Sequence, residues 1–306
     1  MSTLAPPAAD SGPLVITGSL VAIVTPMQAD GAVDFGAWTR LIEWHIASGT
    51  RALIVGGTTG ESSTLSEAEL RELTERACAT AAGRMAVIVG AGSSSTAVTV
   101  ARVRWLSSLP IDGLLVVTPA YNRPTQEGLY RHFAAIVEAA DKPLILYNVP
   151  SRTAVDMLPE TTARIAQLPG VVAIKEAVPG AERVRQILTR SRRGFVVLSG
   201  DDATAREAIL AGARGVISVT ANVAPAAMAA MVAAALAGDE VRALQLDEPL
   251  QRLHRALFVE VNPIPVKWAL AQLGRIGTGI RLPLTELAEA QRPQVLAALQ
   301  ATGMAL

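Results

Sequence analysis

The chain has 306 residues, half of them hydrophobic and 18% charged, with 27 basic side chains against 27 acidic ones. That length can bury one large core or two smaller ones, the composition excludes disorder, and a net charge of zero supplies no basic face for nucleic acid. The single cysteine, Cys78, excludes an internal disulfide, and three scattered histidines, His45, His132 and His254, fit no metal-ligand spacing, so neither a metal nor another cofactor is expected.

Residues 1–17 read as a short tail. They lack the positive start and continuous apolar run of a signal peptide, which predicts a cytoplasmic protein. Short β-branched runs then recur at 19–25, 52–56, 85–90, 113–118, 144–149, 171–176, 195–200 and 215–220. Several are apolar for four or more residues in a row, the pattern of a strand buried on both faces of a parallel sheet. Helix signals fill the gaps: Asp34 caps 35–47, Ser66 with Glu69 forms a capping box ahead of 67–82, Thr125 caps 126–140, and Asp202 opens 203–210. The alanine-rich stretch 221–237 is too short and too weakly apolar for a membrane span and reads as a buried helix. Eight alternating units over 18–238 predict an α/β fold, a (β/α)₈ TIM barrel, and 239–306 reads as a helical extension. No glycine-rich dinucleotide fingerprint and no Walker A motif occurs.

Active sites of such barrels gather at the C-terminal ends of the strands. There the chain places one lysine. In the run Val171 to Lys175, period-two alternation puts Val171, Ala173 and Lys175 on one face and turns Val172 and Ile174 toward the helices, so the lysine points inward. An isolated ammonium there is costly: Lys175 either has a carboxylate partner such as Glu176 or Asp201, or is a nucleophilic amine. Competitors are few, because the chain has 24 arginines and only Lys142, Lys175 and Lys267 as lysines. Lys142 reads as solvated, and Lys267 starts a C-terminal helix.

Tyr147 ends the preceding strand in phase with Ile145, either as a core tyrosine or as a proton carrier beside the lysine. Thr58 and Thr59, flanked by glycines, form either a structural turn or a nest of hydroxyls and N–H groups for a small carboxylate. Arg152 is either a surface residue or a bidentate holder of a second carboxylate. Together these groups describe a site for a small keto acid and an acidic partner.

Seven stretches, GGTTGESSTL (56–65), TPAYNRPTQEGLYRHF (118–133), LYNVPSRT (146–153), IKEA (174–177), LSGDD (198–202), GVISVTANV (215–223) and NPIPVKWAL (262–270), make the chain similar to the dihydrodipicolinate synthase family, also called 4-hydroxy-tetrahydrodipicolinate synthase, among the class I pyruvate-dependent aldolases. The resemblance implies a barrel with a C-terminal helical part, a homotetramer, and condensation of pyruvate with L-aspartate 4-semialdehyde on the route to diaminopimelate and lysine. It also implies roles: Lys175 forms the imine, Thr58 and Thr59 hold the pyruvate carboxylate, and Tyr147, Thr59 and Tyr121 pass protons, Tyr121 crossing from a neighbouring subunit. Arg152 receives the semialdehyde carboxylate, the backbone at Gly200 and Ile217 lines the pocket, and Asn262 belongs to a tail packed near the barrel.

At the positions where feedback-inhibited members bind lysine, this chain has Glu67, Leu70, Ser94, Val98 and Ala120. Apolar Leu70 and Val98 cannot satisfy an ammonium, so weak or absent lysine inhibition is expected. The nearest alternative activity is another pyruvate lyase, such as N-acetylneuraminate lyase or a keto-deoxy-sugar aldolase, which Arg152 argues against. A barrel that binds a keto acid without turnover is the remote alternative.

Overall fold

A computed structural model describes residues 16–303, so most of the predicted tail at 1–17 lies outside the described residues. Eight strands, β1 (Gly18–Ala22), β2 (Ala52–Val55), β3 (Ala86–Gly90), β4 (Gly113–Val117), β5 (Leu144–Asn148), β6 (Val171–Glu176), β7 (Val196–Ser199) and β8 (Gly215–Ser218), pair in parallel and close into a barrel in chain order. Helices α1 (Phe35–Ala47), α2 (Glu67–Ala81), α3 (Thr96–Ser107), α4 (Gln126–Val137), α5 (Pro150–Thr153), α6 (Pro159–Ile165), α7 (Ala181–Arg190), α8 (Ala205–Leu210) and α9 (Pro225–Leu236) follow the strands. The chain continues as α10 (Glu240–Ala256), α11 (Ile264–Gln272) and α12 (Arg292–Ala301). No helix among the described residues is long and apolar enough to cross a membrane.

Alternation along the strands builds two cores. Ala22, Ile54, Ile88, Leu115, Ile145, Ala173, Leu198 and Ile217, one from each strand, fill the barrel interior. The intervening residues, such as Leu53 and Val55, join Trp38, Leu41 and Leu73 in the larger layer between sheet and helices. The barrel is therefore packed rather than hollow, which leaves the strand ends as the place for chemistry.

Three of the anticipated caps form. Asp34 accepts from Ala37 N at 2.8 Å, Thr125 from Gly128 N at 3.1 Å, and Ser66 and Glu69 close a reciprocal capping box. Asp202 differs from expectation: its Oδ2 accepts from Val219 N and Thr220 N, each at 2.9 Å, while α8 begins later, after Thr204. Buried backbone N–H groups need an acceptor, and Asp202 supplies one to the two that follow β8. The alanine-rich helix also starts later than the composition suggests. Asn222 lies in a short 3₁₀ turn, where its amide bonds Ala22 O and Val24 N at 2.9 Å, and α9 starts at Pro225, whose fixed φ suits a first helical position.

One phase error concerns the decisive strand. β5 and β6 slip by one residue between Leu144 and Ile145, so Leu144 faces Val171 whereas Ile145 faces Ala173. Val171 thus belongs to the outer layer and Val172 packs against the inner one, the reverse of strict alternation. A bulge inserts one unpaired residue and shifts the phase of what precedes it. Beyond it, Ala173 and Lys175 keep the inward phase.

Candidate active site

Lys175 is aligned with Tyr147 on β5 and with Leu198 on β7. It is 5% exposed, and its Nζ lies 4.4 Å from the centre of the Tyr147 ring. Room for the side chain comes from Gly200, where an added Cβ would sit 3.1 Å from both Cγ and Cε of Lys175. Glycine is used here because a side chain would fill the lysine's space.

The two carboxylates that could have paired with Lys175 are engaged elsewhere. Asp201 accepts from the Thr204 hydroxyl at 2.7 Å and from its N–H at 3.1 Å. Glu176 accepts from Arg183 Nε at 3.1 Å, from Asn148 Nδ2 at 3.1 Å and from Val178 N at 2.8 Å. Burial pushes the Glu176 carboxyl above its ordinary value, and these donors oppose that shift. Arg183 and Asn148 also reach Asp156 at 2.5 and 2.7 Å, tying the ends of β5 and β6 together behind the Tyr147 and Lys175 pair. Among the described residues no carboxylate oxygen forms a salt bridge with Lys175, so the structural alternative of a buried ion pair has no partner here.

The other buried lysine is of a different kind. Lys267 on α11 forms a buried ion pair with Glu61, whose second oxygen accepts from Arg281 N at 3.2 Å. Glu61 has φ of 57° and stands in the left-handed region, so the loop Gly56–Glu61 is held in a costly shape by a salt bridge from outside the barrel. Arg281 extends the clamp, binding Glu69 through its two terminal guanidinium nitrogens and donating to Thr64 O at 2.7 Å and, from Nε, to Gly31 O at 2.9 Å. The loop also depends on close approach: an added Cβ on Gly90 would meet Gly56 O at 2.2 Å.

Above Tyr147 the strand ends enclose a cavity of about 490 Å³ lined by Thr58, Ser62, Ser63, Leu65, Gly92, Ser93, Ser94, Arg102, Val117, Ala120, Val149, Arg152 and Thr153. A deeper recess, lined by Gly56, Gly57, Thr58 and Tyr147 among others, connects through the shared residues. The larger cavity is lined by two guanidinium groups, Arg102, which stands 3.7 Å from Glu67 on the recess wall, and Arg152, which has no carboxylate beside it in the lining and suits an anionic ligand. Arg152 Nη2 donates to Asn262 O at 3.1 Å, and Asn262 Nδ2 donates to Thr59 Oγ1 at 3.0 Å.

A sequence model of the dihydrodipicolinate synthetase family matches residues 15–302. The chain belongs to that family. It is 51% identical over 290 residues to the 4-hydroxy-tetrahydrodipicolinate synthase of Alcanivorax borkumensis, spanning 95% of this chain and 99% of the relative, and 50% identical to that of Laribacter hongkongensis, spanning 95% and 100%. The crystal structure of the chloride-inhibited dihydrodipicolinate synthase of Acinetobacter baumannii complexed with pyruvate superposes with a TM-score of 0.93 at 48% identity, covering 94% of this chain and 99% of that one.

Within this family member, the structure brings together Lys175, Tyr147 and Gly200 at the barrel floor, and Thr58 and Arg152 on the cavity wall. Thr59 is buried beneath the wall, and Ile217 lies in the interior core. Tyr121 stands apart. It is 93% exposed, does not line the cavity, and has φ of 69°, unusual for an aromatic residue. Cys78 is half-buried in α2 with its thiol pushed up to about 11 by burial, the setting of a packing residue.

Two residues of the site escape a reading of strand ends. Arg102 reaches the cavity from α3, which also carries Arg104; only three-dimensional proximity distinguishes the two. Asn262 comes from the segment ahead of α11, more than two hundred residues from Thr59 in the chain.

Proposed function

We infer that the chain condenses pyruvate with L-aspartate 4-semialdehyde to 4-hydroxy-tetrahydrodipicolinate through an imine on Lys175. The observation that carries this reading is a buried lysine with no carboxylate partner among the described residues, set 4.4 Å from a phenol ring, in a chain half identical to synthases of that name.

The amine of Lys175 attacks the keto carbon of pyruvate, and loss of water gives the imine. The pyruvate carboxylate rests on the hydroxyl and N–H groups of Thr58 and Thr59. Removal of a methyl proton yields the enamine, with the imine nitrogen as electron sink. The enamine carbon attacks the aldehyde, whose carboxylate is held by Arg152 in the cavity with no competing acid. The substrate amine then displaces Lys175 as the ring closes. Every stage moves a proton, and Tyr147 is the phenol placed to carry it.

Tyr121 belongs to the same relay by way of a second subunit. Its exposure and left-handed backbone support a side chain held outward for a neighbouring copy, the arrangement of a homotetramer built from dimers. A panel of aldehydes tests the reading. Turnover of the semialdehyde with pyruvate is expected; cleavage of sialic or keto-deoxy sugars without semialdehyde turnover would overturn it.

A further inference from the structure

Asn262 stands between the two carboxylate-binding groups of the site. It is 5% exposed, its Nδ2 donates to Thr59 Oγ1 at 3.0 Å, and its backbone carbonyl accepts from Arg152 Nη2 at 3.1 Å. A hydroxyl has one proton to give and two lone pairs to receive. Because the amide donates into Thr59, one lone pair of Oγ1 is occupied and the Thr59 proton is directed elsewhere. An amide oxygen in the same place would instead draw that proton onto itself.

The amide of Asn262 is not explained by the needs of the fold. Its Oδ1 is buried with no hydrogen-bond partner among the described residues, so only the Nδ2 end is committed, and it is committed to Thr59. A buried polar group satisfied at one end costs stability, and such groups persist where they do something else. The segment that presents it is rigidly anchored: three residues after Asn262 α11 is under way, and Lys267 on that helix is locked to Glu61 in the same loop as Thr59.

We propose that Asn262 is a positioning residue that fixes the polarity of the Thr59 hydroxyl, so that Thr59 donates toward pyruvate and Tyr147 rather than away from them. The proposal rests on the imine reading of the site and adds a part to it from the C-terminal region. The side chain acts on Thr59 and the main chain acts on Arg152, so the two effects are separable by substitution.

The test is a double-substitution cycle. Asn262→Ala keeps the backbone carbonyl under Arg152 but removes the donor; expected is a loss in kcat of about tenfold, the scale of one hydrogen bond, with KM for the semialdehyde changed by less than about twofold. In a Thr59→Val background, where there is no hydroxyl to orient, Asn262→Ala should cost less than about twofold. Asn262→Asp, isosteric but acceptor-only, should lower kcat further than Asn262→Ala, and it serves as the second variant should the alanine form fold poorly. Equal losses in both backgrounds, or an Asn262→Asp enzyme at full rate, would overturn the proposal. Borohydride trapping of pyruvate is run on the unsubstituted chain in parallel: its failure would remove the imine reading itself, whereas additivity alongside successful trapping would remove only the role of Asn262.

Discussion

Tyr147 and Lys175 sit opposite one another on adjacent strands of the barrel, with the lysine Nζ 4.4 Å from the phenol ring centre. The bulge at Val172 creates this alignment, since it moves Ala173 and Lys175 into register with Ile145 and Tyr147. Replacing Tyr147 by Phe keeps the ring over the lysine and removes the proton carrier. Expected is a fall in kcat of about 100-fold or more, the usual worth of a general acid or base, with little change in thermal midpoint. A Tyr147→Phe enzyme within a few-fold of the parent rate would mean that protons travel by another route.

Lys267 is the buried lysine whose role is structural. Burial pulls its ammonium below the ordinary lysine value and Glu61 opposes the shift. Lys267→Met leaves Glu61 charged and unpaired in the interior, which costs on the order of 3–5 kcal/mol. Denaturant unfolding should show that loss, together with a raised KM for pyruvate as the loop carrying Thr58 and Thr59 relaxes. Unchanged stability would contradict the clamp.

Free lysine has little to bind beside the cavity. Leu70 is buried, Val98 is exposed on α3, and Ala120 offers the cavity only a methyl group. Arg102, which also faces this space, stands 3.7 Å from Glu67, so the nearest carboxylate already has a cationic partner. The initial rate should stay flat as lysine is added, and strong inhibition would contradict the expectation.

Stability should weaken in mild acid through two histidines. Burial lowers His45 from 6.5 to about 3 and His132 from 6.5 to about 4, so both are neutral in the fold. Unfolded, both take up protons near 6.5, so their contribution is whole above that pH and is lost as pH falls toward 4 and 3. For His45 the loss by about pH 5 is on the order of 2 kcal/mol. Denaturant midpoints for the parent and His45→Gln, taken between neutral and about pH 5, should show a shallower decline in the variant. Parallel declines would contradict it.

The fold was legible because each strand is a short β-branched run and each break has its own signal, as at Ser66 with Glu69 or Thr125. The scarcity of lysine made Lys175 visible as well. What escaped was set by tertiary competition. The bulge at Val172 arises from pairing between strands and has no local signature. Asp202 looked like a helix cap because its neighbours β8 and Thr220 are distant in sequence. Asn262 was legible only as part of a tail motif, since its contacts with Thr59 and Arg152 exist only once the chain closes on itself.

The most direct test of the imine is borohydride reduction in the presence of pyruvate, followed by peptide mass mapping. Expected is a single reduced adduct on the peptide that contains Lys175, with loss of activity in step with labelling. An adduct on Lys142 or Lys267, or full labelling with activity intact, would contradict the assignment of Lys175 as the nucleophile.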